Sequence, residues 1–150
     1  MSYQSFEQVL QKCHTEEKEF WRVILEDDMA ERNVSEEDSM EHMRATWDAM
    51  LLAAATYEGN LNSSSGLVGG DGRRMEEYIR SAQTKSLCGE YVDTCIAGAL
   101  QMGESNACMK RIVAAPTAGA CGVLPAVLVP YFQKRCKDTD KILKAMYVAA

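Results

Sequence analysis

Apolar residues recur every three or four positions along most of this chain, and that period predicts helix after helix. Ser5 caps a first helix in which Phe6, Val9, Leu10 and Cys13, then Phe20, Val23 and Ile24, recur among Glu and Lys, leaving the opposite face solvated. Ser35 before Glu36, Glu37 and Asp38 has the form of a capped start. Met40, Met43, Trp47, Met50, Leu51 and Ala54 then mark the apolar stripe of a second helix that ends near Gly59 and Asn60. The stripe reads as core, or as a groove for a partner helix, in preference to a cofactor box. Residues 62–72, NSSSGLVGGDG, are turn formers without periodicity. Residues 73–81 read as a short helix. Residues 86–102 read as a longer one with Leu87, Cys95, Ile96, Ala99 and Leu100 inward, where Ala97, Gly98 and Ala99 allow close helix approach.

Residues 112–132, IVAAPTAGACGVLPAVLVPYF, carry no charge and hold all three prolines. After Pro116 the chain is expected to turn through residues 117–122 and start another helix, with Pro125 tolerable in its first turn and Pro130 kinking or ending it. Those breakers argue against a membrane span. Asp138 or Thr139 caps a last helix over 141–150 in which Ile142, Leu143, Met146, Tyr147 and Val148 are apolar. It has no capping glycine or polar tail, so the chain looks cut or completed by another polypeptide. The only strand-like stretch, residues 111–115, is too short to decide anything, and the fold class is mainly α.

Composition adds little to that picture. At 47% hydrophobic and 25% charged, 150 residues suit one compact domain. A net charge of −6 with Lys and Arg scattered among acidic residues gives no basic stripe for nucleic acid. The first twenty residues mix both charge signs and lack the apolar core of a signal peptide, which places the protein in the cytoplasm. Six cysteines at 13, 88, 95, 108, 121 and 136 follow no disulfide or C-x-x-C spacing. They are expected to be reduced, most of them as small buried hydrophobes.

Three features bear on chemistry. The glycine-rich stretch Ser65 to Gly72 lacks the Lys-Ser or Lys-Thr of a phosphate loop, and spacing alone favours a structural turn. Ser63, Ser64 and Ser65 still offer hydroxyl donors, and backbone N–H groups just before a helix favour anions. His14 and His42 lie in charged helical sequence and read as solvated, while Cys88 and Cys95 share a helix face that burial explains as well as ligation does. Cys121, between Ala120 and Gly122, is a thiol on a small-residue turn next to an apolar element, a place for a metal cluster or a reactive sulfur.

The stretch RIVAAPTAGACGVLPAVL at 111–128, preceded by SNACM at 105–109 and far upstream by SSSGLVGGDG at 63–72, resembles the α chain of the bacterial iron–sulfur-dependent L-serine dehydratases, or L-serine ammonia-lyases. The resemblance is weakest before Ser35. It implies one partial helical catalytic domain over 1–150, with N-terminal helices in about 1–60 and the motif-bearing part in 61–150. It also implies conversion of L-serine to pyruvate and ammonia with a [4Fe–4S] cluster acting as Lewis acid. The first cluster cysteine of the family falls on Cys121, and the other two ligands lie in segments outside this chain. Ser63, Ser64, Ser65, Gly66, Thr117 and Gly119, by their place in the two motifs, are candidates to hold the serine carboxylate. The catalytic base cannot be named. A β chain or domain is the implied partner, in a homo- or hetero-oligomer, and the short chain alone is expected to be inactive.

Two other classes compete. A pyridoxal-phosphate dehydratase would need a longer and less helical chain. A non-catalytic helical module or truncated remnant, docking through its apolar C-terminal helix, remains the alternative.

Overall fold

The computed structural model describes residues 3–81, 86–115 and 117–149, and Pro116, the expected entry to a turn, lies outside them. Seven α-helices occur among the described residues: α1 Phe6–Glu16, α2 Phe20–Arg32, α3 Glu36–Ala55, α4 Asp71–Ser81, α5 Glu90–Ala107, α6 Val123–Tyr131 and α7 Thr139–Ala149. A 3-10 turn covers Ala118–Ala120 and a π-helical turn Phe132–Cys136, and no strand occurs among the described residues. The mainly α reading holds.

The expected first helix is two helices. Ser5 Oγ accepts from the Gln8 amide at 3.4 Å to start α1, but Glu17 takes a left-handed conformation (φ 52°) and the Lys18 amide returns to the Cys13 carbonyl at 3.0 Å. That closure ends α1, and α2 restarts at Phe20, whose ring lies 5.3 Å from that of Phe6. Asn33 closes α2 in the same way, with the Val34 amide on the Met29 carbonyl at 3.1 Å. A reciprocal cap opens α3: Ser35 Oγ accepts from the Asp38 amide at 3.1 Å while the Asp38 carboxylate accepts from the Ser35 amide and hydroxyl. This helix ends at Ala55, earlier than the glycine signal suggested.

The chain divides into two compact units, Met1–Trp47 with Asp138–Ala150, and Asp48–Lys137. In the first, Val9, Val23, Ile24, Leu25 and Tyr147 form a buried cluster with Cys13, Phe20, Met40 and Met43 packed against it. Complete burial of side chains such as Val23 and Leu25 contributes roughly 1.5–3 kcal/mol each. One polar chain crosses this core. Ser39 Oγ donates to Asp28 at 2.6 Å, so the Tyr147 hydroxyl, 2.6 Å away, donates to Ser39.

In the second unit α5 packs on α4 and on α6. Gly98 brings the α5 backbone onto Ala126, where an added Cβ would sit 3.4 Å from the Ala126 Cα, as the small residues of α5 predicted. The inward face of α5 differs from the sequence reading. Asp93, Ala97, Met102, Glu104 and Ser105 are buried, whereas Leu87, Ile96, Ala99 and Leu100 are exposed. The small side chains let α6 approach, and the two buried carboxylates have partners of their own, Asp93 accepting from Ser86 Oγ at 2.8 Å. Pro125 sits in the first turn of α6, and Pro130, with no N–H to donate, lies at its last turn just before the π-helical turn.

Candidate functional site

The serine-rich loop between α3 and α4 is closed on itself. The Ser63 amide donates to the Val68 carbonyl at 2.8 Å, the Val68 amide returns to Ser63 Oγ at 3.1 Å, and the Ser63 and Ser65 hydroxyls are 3.1 Å apart. Ser64 and Gly66 are exposed at its tip. Gly69 is obligatory, since a Cβ there would lie 2.3 Å from the Leu61 carbonyl oxygen.

Below the loop, the N-terminus of α4 is already filled. Glu104, 2% exposed, accepts at one oxygen from the amides of Asp71 (2.5 Å) and Gly72 (3.1 Å) and at the other from the Tyr57 hydroxyl (2.6 Å). A helix N-terminus favours a negative charge, and Glu104 supplies it from within the chain. The anion-favouring amides noted in the sequence are therefore occupied by a protein carboxylate. Gly72 permits this fit, because a Cβ there would meet Gln101 at 2.7 Å and the Tyr57 hydroxyl at 2.9 Å. Burial first, then the hydrogen bond to Glu104, pushes the Tyr57 phenol well above its usual value. Neither residue stood out in the sequence, although a lone glutamate in the otherwise uncharged second half of α5 was a signal: a buried carboxylate needs donors.

The second motif forms a separate turn. Thr117 Oγ1 accepts from the Ala120 amide at 3.2 Å, capping the 3-10 turn, and Asn106 Nδ2 holds the Ala118 carbonyl at 3.1 Å. Thr117 and Gly119 face solvent. Cys121 follows and turns inward, 2% exposed, against Ala53 and Met102 with Ala54 and Ile112 beside them. It is not presented on the turn as the sequence suggested, and it is the one fully buried cysteine. Cys13, Cys95, Cys108 and Cys136 are half-buried and Cys88 is exposed. No hydrogen bond among the described residues links the serine loop to the Thr117 turn. A cavity of about 310 Å³ lies between α3, α4, α5 and α6, lined among others by Ala54, Tyr57, Gln101, Met102, Ser105 and Val129, and none of the candidates Ser63, Ser64, Ser65, Gly66, Thr117, Gly119 or Cys121 lines it. His14 and His42 are exposed, as their charged surroundings predicted. No helix among the described residues is long and apolar enough to cross a membrane.

The sequence profile of the serine dehydratase alpha chain matches residues 15–150. The chain belongs to the serine dehydratase alpha chain family. It is similar to the L-serine dehydratase alpha chain of Peptoniphilus asaccharolyticus, with 30% identity over 139 residues that cover 90% of this chain and 46% of that one. It is 30% identical over 127 residues to the probable L-serine dehydratase alpha chain of Bacillus subtilis, covering 85% of this chain and 42% of the relative. A shorter stretch of 52 residues is 42% identical to L-serine dehydratase TdcG of Escherichia coli, covering 35% of this chain and 12% of the relative. The chain thus spans less than half the length of these relatives. No solved structure matches it. Among the described residues of this serine dehydratase alpha chain sequence, no three His, Cys, Asp or Glu side chains are grouped to hold a metal ion. One inward thiol cannot by itself hold a four-iron cluster, which takes several cysteine ligands.

Proposed function

We propose that this chain is a motif-bearing part of an L-serine ammonia-lyase, acting with further alpha-chain sequence and a β chain or domain to convert L-serine to pyruvate and ammonia. The observation that carries this reading is the family match across residues 15–150. Cys121 would serve as one thiolate of a [4Fe–4S] cluster, its other ligands coming, as the family resemblance implies, from sequence outside these residues; among the described residues no three potential ligands are grouped.

The chain's own contribution is to bind and orient the substrate. Glu104 occupies the α4 amides, so the serine carboxylate is left to hydroxyls and to the exposed backbone around Gly119. Thr117 Oγ1 accepts from Ala120 and keeps its own proton to donate, and Ser64 at the loop tip is free of the Ser63–Ser65 contact. Gly66, with φ 71°, lets the loop turn at that point. The partition into helices over 1–60 and a catalytic part over 61–150 belongs to this proposal.

A chimera tests it, in which this chain replaces the matched 139 residues of the Peptoniphilus alpha chain. Prepared anaerobically with iron, sulfide and the β chain, it is expected to form pyruvate from L-serine, while the 150-residue chain alone forms none. Thr117→Ala and Ser64→Ala in the chimera are expected to raise KM about tenfold or more, the loss of one hydrogen bond to a charged group. Unchanged KM and kcat in both variants would remove these residues from the substrate site, and a folded, iron-loaded chimera without turnover would remove the activity.

A further inference from the structure

The outer sides of α5 and α6 present one continuous uncharged surface. Val92, Ile96 and Leu100 on α5 and Val123, Val127 and Tyr131 on α6 are each between 37% and 58% exposed. The two helices run antiparallel, with the Tyr91 hydroxyl on the Val127 carbonyl at 3.0 Å near one end and Gly122 against Ala99 at the other, so both stripes flank one seam. Ala99 and Gly103 continue it without side chains that could reach water with a charge. From Tyr91 to Gly103 the single charged residue is Asp93, which is buried and accepts from Ser86 Oγ, and α6 has none. Charge resumes beyond the end of the face, where Lys134 pairs with Glu90 at 2.7 Å. A helix that faces water carries charged residues opposite its buried stripe, whereas here the exposed side of α5 from Tyr91 to Gly103 and of α6 carries none.

We propose that this face seats an apolar helical surface from the remaining part of a serine dehydratase alpha chain, on the same or a separate polypeptide. The inference rests on the family reading, and two facts support it. Relatives carry more than half of their length outside the match, 46% and 42% of them being covered, and that sequence needs a surface to pack on. The face has no charge to recognise an ionic partner, while its two antiparallel stripes suit a helix laid along the seam.

The test uses the same chimera and the intact 150-residue chain, each with the double substitution Ile96→Asp and Val127→Asp. In the chimera the double variant is expected to lower Tm by roughly 10 °C, while in the 150-residue chain it moves Tm by less than about 2 °C. Equal losses in both contexts would place these residues in the chain's own core, and no loss in the chimera would leave the face in water; either overturns the proposal. So does a chimera that fails to unfold cooperatively with its face intact. Sedimentation gives a second readout: a dimer of the 150-residue chain that the double variant dissolves would assign the face to a second copy instead. Pyruvate formation is scored separately, so a chimera with a face-dependent Tm and no turnover rejects the catalytic reading alone.

Discussion

A buried carboxylate is retained at low cost only when both oxygens have donors, and Glu104 has two amides on one oxygen and a phenol on the other. Glu104→Gln turns one of those oxygens into an N–H donor facing other donors, and urea unfolding is expected to show a loss of about 2–3 kcal/mol. Tyr57 gives a pH signature. Its phenol is held above the ordinary 10.0, so the neutral form is the one the fold favours. That stability is complete below pH 10 and is lost as pH rises toward the folded-state value, because the unfolded chain ionises first. Denaturation across pH 7 to 12 is expected to show wild type ahead of Tyr57→Phe at neutral pH, with the gap closing above 10. A gap that widens with pH would contradict the assignment. Thiol labelling addresses Cys121: Cys88 is expected to react within the first mixing step, and Cys121 only at the rate of opening, because its sulfur lies under Met102 and Ala53. Of this local chemistry the sequence showed the serine loop and the Thr117 turn, since both are contiguous motifs. Glu104 and Tyr57 stayed hidden because they are 47 positions apart and meet only in the folded chain.

Helix ends explain most of what periodicity missed at the scale of elements. Three α-helix closures among the described residues use Glu17, Asn33 and Met109 in the left-handed region, with φ between 52° and 60°, where glycine is the usual marker. Each is followed by an amide returning five residues back, from Lys18, Val34 and Lys110. With no glycine at 17, α1 and α2 read as one helix. Glu17→Gly removes the strain of a side chain at positive φ and is expected to stabilise the protein by about 0.5–1 kcal/mol, read as a small rise in Tm. A fall would mean that the Glu17 side chain holds a contact the closure depends on. Where starts were marked by side chains the reading succeeded: Ser5 and Ser35 cap α1 and α3, and Asp138 accepts from the Lys141 amide at 3.2 Å to open α7. The inward face of α5 was misread because its larger apolar residues were taken as core. Alanine at 97 and glycine at 98 decide the packing instead, and leave Ile96 and Leu100 outside.

The described residues are mainly helical, as periodicity indicated, and the family is shown by the match over 15–150. Its division into two units was not legible, because the break falls within α3, after Trp47, and the last helix joins the first unit from the far end of the chain. That return depends on contacts remote in sequence, such as Tyr147 with Ser39, which no local pattern announces. The carboxylate at the head of α4 has a consequence for the molecule outside the cell. A protein that carries its own counter-anion fills the amides at the end of its glycine-rich loop without dissolved phosphate or substrate. Glu104→Ala would open a carboxylate-sized gap over two amides and a phenol. Acetate or formate at tens of millimolar is expected to restore part of the lost Tm in that variant and to leave wild type unmoved, making a folded motif that can be switched on with vinegar.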